Sequence, residues 1–383
     1  MEPSVHPDTY YVQVPKGKRK ITFITSTDSI SFTPSYGQTC DFIILYNKKD
    51  SCHIRISANY QGVFSAVNTQ STNNHVDTIP FFMQGSRMYF KGILNGKRNF
   101  NVQFDLGAGV SVINQKTIRR AGLKFDGVTV LTNTNGTTQA PTSSSNTLEI
   151  AGLKWEKIPF VQVDNMEDYE DLIIGNQFFE KKVIQIDYDK KIMILTDSLG
   201  SLPKGYSAHE LIYYQHRPRF MVNIKVGEKY YPYHFLFDTG REGTMLIGED
   251  FTTEYNLWDR YQSIFSFGKK KIVVIPAVKI GNRTFRQILT NANDPTHPTG
   301  KQSLLGNQIL NQFNLILDNP NGIIYLKPNN NQNENYATYD QFKIQLITYG
   351  LGLLAIIIVA IFLIRLYIKR LRDSKKKKGT LIP

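Results

Sequence analysis

The sequence predicts an all-β body written twice along the chain, followed by one membrane-spanning helix. Three observations carry that prediction. Short runs of β-branched and aromatic residues are cut by turn residues throughout the first 330 positions. Two Asp-x-Gly segments, at Asp105 and Asp238, share matched downstream spacings. A stretch of 21 residues from Ile344 to Ile364 carries no charge.

The 383 residues allow two lobes plus appendages. With 41% hydrophobic and 20% charged residues and only two cysteines, collagen, wholesale disorder and a disulfide-dense scaffold are excluded. The net charge of +13 invites nucleic acid, but its placement argues otherwise. Between Arg365 and Lys378 stand eight cations against Asp373 alone, and with Lys343 set aside too, residues 1–340 keep only +5. The basic balance is mostly a tail, and nucleic acid is not an expected partner.

Along the body, Lys20–Thr25 and Phe42–Tyr46 read as strands, and Asn95-Gly96 between two such runs is a type I′ hairpin signal. Short helices are expected around Asn176–Lys182 and Asn307–Gln312. Residues 131–147 are polar throughout and read as a loop. Cys40 and Cys52 flank an Asn47–Asp50 turn, where they either bridge a hairpin or stand as two free buried thiols.

The repeat is the strongest organising feature. Phe104-Asp105-Leu106-Gly107-Ala108 and Phe237-Asp238-Thr239-Gly240-Arg241 each follow a strand-like run. Ile173-Ile174-Gly175-Asn176-Gln177 follows the first, and Leu304-Leu305-Gly306-Asn307-Gln308 the second. Asp187 lies 12 residues beyond Gly175 and Asp318 the same distance beyond Gly306; both copies close on an apolar strand, Ile192–Leu195 and Ile323–Leu326. One Asp-x-Gly is an ordinary turn signal. Two with the same downstream pattern define a duplicated lobe. The expected division is an N-terminal β extension (1–80), lobe 1 (81–200), lobe 2 (201–328), an Asn-rich stalk (329–340), the membrane helix (341–365) and a basic cytoplasmic tail (366–383).

Glycine after each Asp lets the chain turn sharply and presents the carboxylate at a strand end. Lobes related by an approximate two-fold axis would set Asp105 beside Asp238. Two carboxylates about 3 Å apart do not both ionise readily and hold one proton between them. The ionised member then serves as general base on a water, and the protonated member polarises a carbonyl. Which residue holds the proton is a property of the pair.

These paired motifs resemble those of the pepsin/retropepsin-like aspartic proteases, most of all the bacterial single-chain members with duplicated lobes. The resemblance covers about residues 86–328. It implies a bilobal acid-protease fold, an interlobe cleft for an extended peptide or protein substrate, and catalytic aspartates Asp105 and Asp238. It also implies that Leu106, Gly107, Ala108, Thr239, Gly240 and Arg241 form the supporting turns, and that Ile174-Gly175 and Leu305-Gly306 support them from behind. The expected function is a membrane-anchored aspartic endopeptidase that uses neither cofactor nor metal. A flap over the cleft is expected from 131–147 in lobe 1 and from Tyr261–Ile272 in lobe 2.

Two positions depart from the family pattern. Leu106 offers no hydroxyl where Thr239 does, so half of the brace between the turns is lost. Arg241 is large and cationic; it either favours an ionised dyad or pairs with Glu242 and points to solvent. Both departures motivate a rival reading, a non-catalytic peptide-binding module on the same fold. A structural surface protein, with residues 10–75 as an adhesion element, is the further alternative.

Other chemistries find little support. The seven histidines form no His-x-x-x-His pair, so a zinc site is not expected. Gly205-Tyr-Ser207-Ala-His209 lacks the second glycine of a nucleophile elbow. Val112 stands where the third glycine of a dinucleotide fingerprint would follow Gly107-Ala-Gly109.

The 21 uncharged residues, as a helix, reach across about 30 Å of hydrocarbon. The following Lys/Arg cluster places the C-terminus in the cytoplasm and the body outside, with Lys375–Lys378 against anionic lipid. The first 30 residues show no apolar signal segment. Either a signal has been trimmed or the span is a tail anchor with a cytoplasmic body; the charge rule favours export.

Overall fold

The computed structural model describes residues 8–11, 20–25, 27–34, 38–46, 50–57, 77–133, 136–214, 216–297, 300–333 and 335–379. They fall into two units, Met1–Tyr336 and Ala337–Pro383. The first unit is mostly β.

At its N-terminal end a small sheet is built from Asp8–Tyr11, Thr39–Tyr46 and Asp50–Ser57, and a separate hairpin joins Ile21–Ile24 to Ser29–Phe32. The register settles the cysteines. Cys40 faces Ile56 and Cys52 faces Ile44, four positions along the ladder. At about 3.4 Å per residue they stand well beyond the reach of a disulfide. Neither is in a disulfide, and Cys40 is half-buried and Cys52 exposed, so neither a bridge nor a pair of buried thiols forms. Residues 47–49 of the expected Asn47–Asp50 turn lie outside the described residues.

The duplication read from the sequence reappears as duplicated connectivity. In the first half, Arg87–Leu94 and Lys97–Phe104 form a hairpin, followed by Val112–Asn114, the long hairpin Gly127–Asn133/Gly136–Ile150, Leu153–Val163 and Leu172–Ile174. In the second half the same order runs Arg217–Val226, Lys229–Phe237, Met245–Ile247, Gln262–Phe267/Lys270–Ile280, Arg283–Asn293 and Leu304–Leu305. The pairings match as well. Lys97–Phe104 runs parallel to Leu172–Ile174 as Lys229–Phe237 does to Leu304–Leu305, and Val112–Asn114 runs parallel to Leu153–Val163 as Met245–Ile247 does to Arg283–Asn293. Asn95 and Gly96 both take positive φ, 50° and 75°, which is the type I′ turn their pairing signalled.

Residues 131–147 differ from the expected loop. Apart from 134 and 135, which are outside the description, they continue a β-hairpin in which Gly127 faces Thr142 and Asn133 faces Gly136. Thr suits a strand, and Ser143 and Asn146 are buried in the sheet, so polarity misleads as a loop signal here. The lobe 2 counterpart is also a hairpin, Gln262–Phe267 with Lys270–Ile280.

The halves are joined by a shared sheet. Val183–Asp187 pairs antiparallel with Phe313–Asp318; Ile192–Thr196 and Ile323–Pro328 flank them, and Asp77–Pro80 and Ser207–Tyr214 complete six strands. Gln185 faces Ile316 at the centre of the joining pair. Those two residues are separated along the chain by the same interval as Gly175 and Gly306, so each faces its own counterpart. Asp77–Pro80 thus belongs with the first half and not with an N-terminal extension ending at 80. A single apolar cluster runs through both halves, including Trp155, Phe104, Phe179, Phe220, Phe237 and Phe251.

Helix is scarce in this unit. Asn176–Phe178 forms one 3₁₀ turn and Asn307–Leu310 one α turn, shorter than the segments expected. The Asn-rich segment expected as a stalk starts on the body: Asn329 is buried and donates to the Asn311 carbonyl at 2.9 Å, and Tyr336 Oη accepts from Arg286 N–H at 2.9 Å.

The second unit is one helix, Tyr339–Gly379, of 41 residues. Its Tyr339–Arg370 portion contains an 18-residue window with a mean hydropathy of 2.8 and is long and apolar enough to cross a membrane by length and composition.

Candidate active site

Each of the two strands Lys97–Phe104 and Lys229–Phe237 ends one residue before an aspartate. The Asp105 N–H donates to the Ile174 carbonyl at 2.9 Å and the Asp238 N–H to the Leu305 carbonyl at 3.0 Å, so each apolar-apolar pair extends its ladder to the aspartate. The following glycines then pass behind the turns. A side chain at Gly175 would strike the Ala108 carbonyl, and one at Gly306 the Gly243 carbonyl. Steric room, not an unusual φ, requires glycine at both.

The turns fold alike. Gly107 N–H donates to Asp105 Oδ1 at 2.7 Å and Gly240 N–H to Asp238 Oδ1 at 3.0 Å. Ala108 N–H closes on the Asp105 carbonyl at 3.1 Å, and Arg241 N–H on the Asp238 carbonyl at 3.3 Å.

The two turns meet. A Cβ placed on Gly107 would lie 2.7 Å from Asp238 Oδ1 and 3.1 Å from Asp105 Oδ1, and one on Gly240 would collide with the Asp105 carboxylate. Both carboxylate oxygens therefore sit around one point, separated by no more than the sum of those two distances. Thr239 ties the turns together: its hydroxyl accepts from Leu106 N–H at 2.8 Å and donates to the Phe104 carbonyl at 3.2 Å. Leu106 is fully buried and contributes its backbone alone to this brace. Asn307 Nδ2 donates to the Thr239 carbonyl at 2.7 Å and holds the second turn from below.

Each aspartate keeps part of its surface open to solvent, while protein atoms crowd its carboxyl group. Burial pushes both carboxyls above the ordinary carboxylate range, and for Asp105 the neighbouring Asp238 charge adds to the rise. The backbone N–H groups of the turns oppose it. So does Arg87 at Asp105, and Arg241 and Arg217 at Asp238. Arg241 does not pair with Glu242. It is half-buried beside Asp238, and its Nε has no hydrogen-bond partner among the described residues. Glu242 turns to the first half, where its carboxylate lies against Gly85 and its charge acts on Arg87.

The structure brings together every residue singled out in the two turns and the two apolar-Gly elements. Among the described residues no group of three His, Cys, Asp or Glu is placed to hold a metal ion. Sequence reasoning missed the arginines. Arg87 pairs with Gln84 and Arg217 with Tyr214. Tyr89 faces Gln103 and Arg219 faces Leu236, so two positions further along the same registers Arg87 stands opposite Asp105 and Arg217 opposite Asp238. The two hairpins differ in length, which hides this equivalence from a count along the chain. Glu170, buried, accepts from Arg87 at 2.6 Å and from Tyr89 Oη at 2.6 Å.

Residues 90–181 match the family model described as gag-polyprotein putative aspartyl protease. This segment is thus similar to aspartic proteases, and it contains Asp105, Gly107 and Gly175. No curated protein matches the chain.

Proposed function

We propose that this protein is a membrane-anchored, two-lobed aspartic endopeptidase in which Asp105 and Asp238 activate a water between them. The observation that carries the reading is the convergence of two equivalent Asp-x-Gly turns on one point, each carboxylate crowded by the other turn's glycine. Burial and mutual repulsion favour one shared proton. The ionised carboxylate takes a proton from the water as the oxygen attacks the scissile carbonyl carbon. The protonated carboxyl hydrogen-bonds the carbonyl oxygen, and the resulting tetrahedral species collapses with proton transfer to the leaving amine. Gly107 and Gly240 N–H groups orient the inner carboxylate oxygens for these steps. The hairpins Gly127–Asn133/Gly136–Ile150 and Gln262–Phe267/Lys270–Ile280 supply the flaps.

The anchor is the helix around residues 344–364, with the body extracytoplasmic, the basic tail cytoplasmic and Lys375–Lys378 at anionic lipid. The decisive experiment is cleavage of a mixed peptide library by the full chain in detergent, from acid to neutral pH. Asp105→Asn and Asp238→Asn should each lower kcat by at least about 10²-fold. Full activity in either variant sinks the dyad. A second reading, peptide binding without hydrolysis, is favoured by Leu106 and by the charge of Arg241 beside Asp238; it predicts retained peptide and no cleavage at any pH.

A further inference from the structure

Glu170 takes no part in the proposed hydrolysis, yet it is a carboxylic acid only 3% exposed. It closes a short turn, its own N–H donating to the Glu167 carbonyl at 3.0 Å. Three donors fill its carboxylate: Arg87 Nη1 and Tyr89 Oη each reach Oε1 at 2.6 Å, and the Glu167 N–H reaches Oε2 at 2.9 Å. Asn114 Nδ2 holds the Glu170 carbonyl at 2.8 Å. A carboxylate is kept out of water only where partners of this kind offset its lost hydration.

The strand register places what Glu170 holds. Arg87 and Tyr89, two apart on one strand, share a face, and Tyr89 lies directly opposite Gln103. Two positions further on, Arg87 comes opposite Asp105, where facing residues of an antiparallel pair stand about 5 Å apart at Cα. The turn before Arg87 rests on the other half. Glu242, two residues after Gly240, crowds Gly85, and Asn311 Nδ2 donates to the Ser86 carbonyl at 2.7 Å. Arg87 Nε is buried with no hydrogen-bond partner among the described residues, so the bond from Nη1 to Glu170 fixes where the guanidinium sits. The other charges acting on this group are Asp238, Arg217 and Arg241 about the aspartates, and Glu242 on Arg87.

We propose that Glu170 is a positioning residue for the dyad: it holds the Arg87 guanidinium beside Asp105, offsets its charge there, and so sets the highest pH at which the two aspartates share a proton. The proposal rests on the reading that Asp105 and Asp238 act as a pair. Without the Glu170 carboxylate, Arg87 exerts its full positive field, the doubly ionised pair is favoured, and the shared proton leaves at lower pH. Without Arg87 the proton is held to higher pH.

The test is the pH profile of kcat for the full chain in detergent, on a fluorogenic peptide taken from the cleaved library members, together with thermal melts. Glu170→Gln should bring the alkaline limb down by about one pH unit, and Arg87→Met should raise it by a similar amount. Glu170→Asp, which keeps the charge, should leave the limb near its wild-type place even where kcat falls. Added to Arg87→Met, Glu170→Gln should move the limb no further. An unmoved limb in Arg87→Met overturns the proposal, also where the Glu170 variants do not fold. So does an equal shift from Glu170→Gln with and without Arg87. If the wild type cleaves nothing at any pH, hydrolysis falls and the melts decide. The drop in Tm between pH 5 and 9 should then be larger than wild type in Arg87→Met and smaller in Glu170→Gln, and three equal drops overturn the proposal.

Discussion

At the scale of single residues, the two aspartates make stability depend on pH. Their carboxyls are raised above the unfolded-chain value by burial and, for Asp105, by the facing Asp238 charge. The folded protein therefore binds a proton that the unfolded chain has already released. The stability this represents is fully present below about pH 4, the ordinary carboxylate range, and is lost as pH rises toward the elevated value. With one proton at stake the slope is about 1.4 kcal/mol per pH unit within that window. Asp105→Asn, neutral throughout, should flatten the decline. Thermal melts of both proteins between pH 4 and 9 check it, and parallel curves would count against a shared proton. Beside them one buried hydroxyl, that of Thr239, serves both turns, taking a hydrogen bond from Leu106 N–H and giving one to the Phe104 carbonyl.

At the scale of elements, the glycines behind the turns are the most demanding positions. The carbonyls of Ala108 and Gly243 occupy the space a methyl group would need at Gly175 and Gly306. Gly175→Ala and Gly306→Ala should each cost about 1–3 kcal/mol, read from denaturant midpoints. Gly200→Ala, with nothing within 4 Å of the new Cβ, should stay near neutral. Much at this scale was legible in the sequence. The repeat, its offsets, both Asp turns and the Asn95-Gly96 hairpin follow from local rules of glycine and strand chemistry. What was not legible depends on pairing register. Cys40 and Cys52 look like hairpin partners by position, yet each faces an isoleucine in the ladder. Arg87 and Arg217 come to equivalent places only because strand pairing compensates for unequal loop lengths. The polar run 131–147 reads as a loop by composition, and only its partner strand shows it to be a hairpin.

At the scale of the whole molecule, the C-terminal helix, long and apolar enough to cross a membrane, is the proposed anchor. An uncharged segment of this length partitions into a bilayer strongly enough that salt and alkali should not remove it. The full chain should remain in the membrane pellet after an alkaline carbonate wash, and a chain ending at Tyr336 should appear in the supernatant. A full-length chain in the carbonate supernatant would refute the anchor.

The joining strands carry one more consequence. Gln185 opposite Ile316 is a residue meeting its own counterpart, the pairing that two copies of one chain make about a dyad axis. The two copies meet there as the subunits of a symmetric dimer would. Lying on one chain, they need not be identical, and Lys301 in place of Glu170 and Arg241 in place of Ala108 are differences that no symmetric pair of subunits encoded by one sequence can carry.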